Sequence, residues 1–305
     1  MKKPDKNLLY ALSAVLIWST VATAFKLGLR ELHYSQLIFI AAGISALFLF
    51  VYLLVTGQVS QLKNTTKKDL LNSAITGALN PFGYYLILFK AYSLLPAQLA
   101  QPLNMIWPIT LALLSVPMLG QKIGWRHFAA MSVSFAGIVV LSSQGGIDGF
   151  RNTNIFGVIL AVGSSIFWAL YWILNVKDHR NEAVKLFMSF VFGFIYLLIV
   201  LPFFSGFQFP KGTSLWAAIY IGFFEVGITY LLWMKAIQLS TNNAKTGSLI
   251  FIAPFISLIF ISFILKETIF VTTILGLVLI VAGIVWQQFF IKKPNESKIT
   301  SHIGD

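Results

Sequence analysis

Residues 8–29 read LLYALSAVLIWSTVATAFKLGL, a run of 22 positions in which Lys26 is the sole charged side chain. A helix crossing about 30 Å of hydrocarbon needs about 20 residues, so this stretch is long enough to span a bilayer. Comparable apolar runs follow at 36–56, 70–91, 97–119, 124–143, 155–176, 186–204, 215–239, 244–265 and 270–290. Short polar connections such as 58–69, 145–149 and 210–212 join them and leave no room for a soluble domain. The first run is entered from MKKPDKN with no small-residue cleavage site, so it reads as a retained helix.

Composition agrees with a membrane chain. Of 305 residues, 57% are hydrophobic and 10% charged, against about 25% charged in soluble domains. So apolar a surface aggregates in water, whereas lipid accepts it. The absence of cysteine excludes disulfides, thiolate metal sites and a cysteine nucleophile. A net charge of +12 could mean nucleic acid, but such binding needs Lys and Arg gathered on one folded, wet surface, and here they punctuate apolar runs.

Their distribution instead sets orientation, since basic flanks stay on the cytoplasmic side. With the N-terminus inside, the cytoplasmic segments hold fourteen: Lys2, Lys3, Lys6, Lys63, Lys67, Lys68, Lys122, Arg126, Lys177, Arg180, Lys185, Lys292, Lys293 and Lys298. The opposite loops hold four: Arg30, Arg151, Lys211 and Lys266. Both termini are therefore expected in the cytoplasm, in a multi-pass protein of the inner (plasma) membrane.

The halves repeat. A shift of 145 residues sets Gly77, Tyr85, Leu86, Lys90 and Ala91 on Gly222, Tyr230, Leu231, Lys235 and Ala236. One further residue of shift sets Pro108 on Pro254 and Ala136-Gly137-Ile138-Val139 on the identical Ala282-Gly283-Ile284-Val285, while Trp18 falls on Trp168 at a shift of 150. Conserved order with small slips marks an internal repeat. Five spans per copy force the second to lie inverted, an arrangement common in secondary transporters, with the substrate site near the midplane. The expected fold is all-α: ten transmembrane helices as two inverted five-helix repeats, 1–148 and 149–305, around a central cavity.

LIWSTVATAFKL, in which Trp18 is followed eight residues on by Lys26, resembles the first helix of EamA-type drug/metabolite transporters, and FWALYWILNVK is similar to that family's second-repeat opening. Asn104-Met105-Ile106-Trp107-Pro108 and Gly120-Gln121-Lys122 resemble the YddG-like aromatic amino acid exporters, with Gln121 where the family usually has Glu; the second copy keeps Glu267. The resemblance covers nearly the whole chain and implies a ten-helix basket that exports small metabolites.

Polar residues deep in a span are costly and face a cavity or a partner. Glu225 is the one carboxylate well inside a run, and its counterpart in the first copy is Asn80. Tyr84 lies one turn from Asn80 and Thr229 one turn from Glu225, giving each helix a polar stripe. Gln101 and Asn104 are one turn apart ahead of Trp107, and Trp18, Trp168, Tyr171 and Trp172 could form an aromatic wall for a flat or cationic ligand. These form the candidate substrate site: Trp18, Asn80, Tyr84, Gln101, Asn104, Trp107, Trp168, Tyr171, Glu225 and Thr229, with Glu225 the candidate proton carrier. Each has a structural alternative. Buried amides hold helices together for about 1 kcal/mol, a carboxyl can be hydrogen-bonded between helices, and lone aromatics pack against lipid. Pro102, Pro108 and Pro254 bend helices, Gly137, Gly276 and Gly283 allow close approach, and Lys90 and Lys235 snorkel to headgroups.

Neither a metal-hydrolase pattern nor paired acids occur within the runs, and the four His lie outside them or at their ends, which argues against a membrane enzyme. No phosphate-binding loop supports an ATP-driven pump. The expectation is a secondary transporter exporting small amphipathic metabolites, aromatic or hydrophobic amino acids foremost, with import or exchange of nucleotide sugars or cationic drugs as the alternative. It needs no metal or other cofactor, and its partners are a small-molecule substrate and the bilayer, with no nucleic acid and the chain acting as a monomer. Reporter fusions after Lys67, Asp148 and Lys293 should read inside, outside and inside; an external signal at the third position would break the inverted arrangement.

Overall fold

A computed structural model gives the fold and describes residues 6–120, 124–240 and 243–287. Among them every regular element is helical. Helices α1 (Lys6–Gly28), α2 (Tyr34–Val55), α3 (Lys67–Gly77) and α4 (Tyr84–Leu94) precede α5 (Ala97–Asn104), α6 (Trp107–Leu119) and α7 (Trp125–Ser142). After the short α8 (Ile147–Asn152) come α9 (Ile155–Val176), α10 (Glu182–Phe204), α11 (Gly212–Tyr220), α12 (Thr229–Gln238), α13 (Asn243–Ser248), α14 (Ala253–Phe260) and α15 (Val271–Val285).

Among the described residues eight helical runs are long and apolar enough to cross a membrane: Lys6–Gly28, Tyr34–Val55, Ala97–Met118, Trp125–Ser142, Ile155–Val176, Glu182–Phe204, Gly212–Gln238 and Thr246–Leu265. Two expected spans fall short of that standard. The run 67–94 carries Asn80, Pro81 and two tyrosines in its middle, which lowers its hydropathy, and it divides into α3 and α4. The last helix is described over 15 residues, about 22 Å at the usual helical rise, and the remainder of the expected 270–290 span lies outside the described residues.

Several runs that read as single helices are broken inside. Between α3 and α4 the chain forms a π-helical segment, Ala78–Gly83, in which Asn80 adopts an extended conformation (φ −147°, ψ 120°); the residue before a proline is disfavoured in the α region. A second π-helical segment, Ile221–Ile228, joins α11 to α12, and α5 gives way to α6 at Met105–Ile106, three residues beyond Pro102.

Helices pack in recurring pairs: α7 on α15, α2 on α10, α1 on α12 and α14, and α9 on α4 and α6. The α7–α15 contact depends on glycine. A Cβ on Gly137 would lie 2.6 Å from the Gly276 carbonyl oxygen, and one on Gly276 would lie 2.6 Å from the Leu141 Cβ and 2.7 Å from the Gly137 carbonyl oxygen. At the mouth between α9 and α10, Arg180 grips Asp178 (Nη2–Oδ2 2.5 Å), donates to Ser73 on α3 (3.0 Å) and lies 3.7 Å from Asp69. Burial alone would push the Asp178 carboxyl up, but these Arg180 bonds hold it below its ordinary value.

Replacing Gly276 with Val should lower the melting temperature in detergent by the equivalent of about 1–3 kcal/mol, the usual cost of overpacking. Gly163→Ala, at a site with no neighbour within 4 Å, should leave it unchanged. Equal effects at the two sites would show that close helix approach is not what Gly276 provides.

Candidate functional site

Two of the π-helical segments, Ala78–Gly83 and Ile221–Ile228, each carry a buried polar side chain. Asn80, in the first, is fully buried; its amide atoms make no hydrogen bond of normal geometry, and the Tyr171 and Tyr230 hydroxyls lie within reach of it. Glu225, in the second, is 9% exposed; its Oε1 accepts a hydrogen bond from the Tyr85 hydroxyl at 2.9 Å and its Oε2 has no partner. Buried polar atoms are nearly always paired in native proteins, so each exception needs a cause. Here several exceptions share one neighbourhood: Tyr230 also has a buried, unpartnered hydroxyl, close to both Asn80 and Glu225.

A second strand of contacts starts from α4. The Tyr84 hydroxyl donates to Asn104 Oδ1 on α5 at 3.0 Å, and Asn104 Nδ2 donates to Ser164 Oγ on α9 at 2.9 Å. These bonds tie three helices at one depth. Rings continue the enclosure: Trp168 lies 4.7 Å from Tyr84, 6.0 Å from Tyr171 and 6.1 Å from Tyr230, centroid to centroid. Trp18 meets Tyr230 at 6.1 Å and Trp233 at 5.3 Å. Trp172, edge-on to Trp168 at 5.9 Å, buries an indole N–H without an acceptor.

Of the ten residues expected from sequence, Trp18, Asn80, Tyr84, Asn104, Trp168, Tyr171 and Glu225 thus belong to one aromatic and polar cluster. Three do not join it. Thr229 is buried but returns its hydroxyl to the Phe224 carbonyl within its own helix. Gln101 is buried with its side-chain oxygen unpartnered and no bond to Asn104. Trp107 is half-buried at the start of α6 and, among the described residues, makes no ring contact or hydrogen bond with the cluster. Sequence reading missed Tyr85, Tyr230 and Ser164. The repeat itself pairs Tyr85 with Tyr230, a signal that was available.

At one end of the bundle the loop before α15 closes on α5. Glu267 accepts hydrogen bonds from the Ala97 and Gln98 backbone N–H groups at 2.8 and 3.1 Å, a carboxylate at a helix N-terminus. Gln98 Nε2 donates to the Thr268 carbonyl at 2.7 Å and its Oε1 accepts from Thr273 at 2.8 Å. Lys26 donates to the Tyr92 and Leu95 carbonyls at 2.9 and 3.0 Å and shares with Glu267 a cavity of about 150 Å³. Gln121, where the first copy would carry the matching carboxylate, lies outside the described residues. Lys90 sits 5.0 Å over the Tyr34 ring and Lys235 is exposed.

The sequence profile of the EamA-like transporter family matches residues 6–143 and 155–287. An uncharacterized transporter of Clostridium kluyveri is 29% identical over 192 residues, which are 59% of this chain and 60% of that one. The aromatic amino acid exporter YddG of Ancylobacter novellus is 26% identical over 155 residues, 50% of this chain and 53% of that one. The alignments thus span little more than half the length of these two relatives. A crystal structure superposes with a TM-score of 0.65 at 21% identity, covering 93% of this chain and 96% of that one, which is a likeness of fold.

Removing the Tyr85 hydroxyl leaves the Glu225 carboxyl without any protein partner, at a cost of about 1–3 kcal/mol. Tyr85→Phe and Glu225→Met should therefore each lower the melting temperature, and the double variant should lose less than the sum of the two. Strict additivity would mean that the bond carries no coupling.

Proposed function

The chain belongs to the EamA-like transporter family, and from that premise we propose that it is a secondary transporter exporting small amphipathic metabolites, aromatic or hydrophobic amino acids foremost, by alternating access. One observation carries the proposal: unpartnered polar atoms of Asn80, Glu225 and Tyr230 meet inside a ring of aromatic side chains. Such atoms are costly in a dry interior unless a ligand or water satisfies them. Apolar and aromatic walls with a few convergent polar groups are the usual make-up of a small-molecule site. The Ancylobacter relative, an aromatic amino acid exporter, supports amino acids as the cargo.

In this reading the chain makes ten spans, both termini cytoplasmic, with the runs 70–91 and 270–290 as the third and the last. The packing supports two inverted repeats, 1–148 and 149–305, about a central site. Helix α1 contacts α12 and α14 while its counterpart α9 contacts α4 and α6, so the two copies exchange partners. The same exchange holds atom by atom. A Cβ on Gly222 would meet the Ala41 carbonyl and Ile44, and one on Gly77 would meet the Ser189 carbonyl and Phe192, positions related by a shift of 148.

Alternating access requires an end that opens and closes. With the N-terminus inside, Glu267 and the start of α5 lie at the outer end, and the contacts of Glu267 and Gln98 hold that end shut in this conformation. Opening to the outside would break two backbone-to-carboxylate bonds and both Gln98 bonds. The matching inner position is Gln121, which lacks the charge that strengthens hydrogen bonds to a helix N-terminus. Substrate moving outward would then displace the carboxylate latch last.

Glu225 is the proton carrier in this scheme, since an enclosed carboxyl can be discharged by a proton as the site faces each side in turn. In proteoliposomes, a pH gradient should drive uphill accumulation of phenylalanine by the unaltered protein and not by Glu225→Gln, whose downhill flux should persist at a reduced rate. Uphill transport by the Gln variant with its pH dependence intact would remove Glu225 from coupling and leave a facilitator.

A further inference from the structure

The central cluster has an unbalanced chemistry. Its fixed charge is a single carboxyl, Glu225, and among the described residues no Lys, Arg or His is close enough to act on it; its polar neighbours are the tyrosines 84, 85 and 230. The nearest basic side chain on α1, Lys26, is engaged with the Tyr92 and Leu95 carbonyls and with Glu267 at the outer end. Three acceptors stand open: Glu225 Oε2, Asn80 Oδ1 and the Tyr230 hydroxyl oxygen. An ammonium group offers three donors and one positive charge. A ligand carboxylate entering the same enclosure would find the Asn80 amide, the Tyr230 hydroxyl and the Trp172 indole as donors, with no cation to pair it and the Glu225 charge opposing it.

The aromatic faces point the same way. Ring faces attract cations and repel anions, and Trp168, Tyr84, Tyr230 and Trp18 form a connected set of rings, 4.7–6.1 Å apart centroid to centroid, in which Tyr230 itself bears one of the open acceptors. An amine-bearing ligand could therefore place its ammonium among the acceptors and its hydrocarbon or ring against Trp168.

We infer that the central site recognises the ammonium group of its substrate through Glu225, Asn80 and Tyr230, and is indifferent to an α-carboxylate, so that it takes aromatic and hydrophobic primary amines as a class, amino-acid amides and esters included. This deepens the exporter reading and rests on it for the claim of transport. Glu225 is then the specificity residue: it admits the cation that replaces its proton. An N-acylated or deaminated analogue keeps the ring and the carboxylate but has nothing to discharge the carboxyl.

The test measures competition against exchange of labelled phenylalanine in proteoliposomes. Phenylalanine amide should compete at a concentration no higher than phenylalanine itself, whereas N-acetylphenylalanine and phenylpropionate should fail at concentrations about a hundredfold greater. Glu225→Gln should raise the half-inhibiting concentration of the amide by about tenfold to a hundredfold, with Glu225→Asp recovering part of that loss. If N-acetylphenylalanine competes like phenylalanine and the amide does not, the inference is overturned while the exporter reading stands. Should phenylalanine show no exchange, the melting temperature of the detergent-solubilised protein decides. Stabilisation by the amide in the unaltered protein but not in a folded Glu225→Gln variant upholds amine recognition and removes amino-acid export, whereas no stabilisation overturns both.

Discussion

A peptide group that leaves the helical ladder inside hydrocarbon must find another partner, because lipid offers none. Breaking a span is therefore tolerated only where it is buried in protein or lines a cavity, and the breaks at Ala78–Gly83 and at Ile221–Ile228 meet that condition. The first sits against α9 and α10, the second against α1 and α2. The glycines at these levels, Gly77 and Gly222, let the neighbouring backbone come close enough to cover them. Once the breaks are covered, Asn80 and Glu225 are carried inward, and the rest of the cluster is what surrounds them.

That arrangement gives the interior one ionisable acid among tyrosines and tryptophans. A charged carboxylate there faces desolvation with one phenolic hydrogen bond as compensation, so it gains from meeting a proton or an ammonium group. Proton coupling and amine recognition are in this sense one property of the same group. Where the loop before α15 meets α5 the situation differs: Glu267 is held by two backbone N–H groups and lies near Lys26, so its charge is matched by the protein. One acid is satisfied by the fold and the other keeps an oxygen without a partner, which distinguishes the two without reference to depth alone.

Helix type and placement were largely legible in the apolar runs, and 155–176 coincides with α9 to the residue. The interruptions were not. Periodicity cannot show that a run of the right length contains a π-helical turn or an extended residue, and Pro81, which explains one of them, was not among the prolines singled out. The polar middle of 67–94 had the same origin: the residues that make the span functional in the proposed reading are those that lower its hydropathy. Glu225 stood out as the one carboxylate well inside an apolar run, and a shift of 145 pointed from it to Asn80, a comparison that needs no structure. Thr229 lies outside the cluster for a local reason: both its backbone N–H and its hydroxyl donate to the Phe224 carbonyl of the preceding π-helical turn. Trp107 follows a break in its span and starts a new helix, so helical phase counted from Gln101 and Asn104 does not carry through to it.

Tyr85 and Tyr230 illustrate what a repeat can and cannot convey. Their equivalence was visible in the shift of 145, but equivalent positions in a repeat need not do the same work. Tyr85 spends its hydroxyl on Glu225, whereas Tyr230, facing Asn80, retains an unpartnered one. Where the first segment carries Asn80 the second carries Glu225, so Tyr85 meets a carboxylate and Tyr230 an amide. In the proposed reading the two segments thereby present a carboxyl on one side of the site and a neutral amide on the other to one ligand.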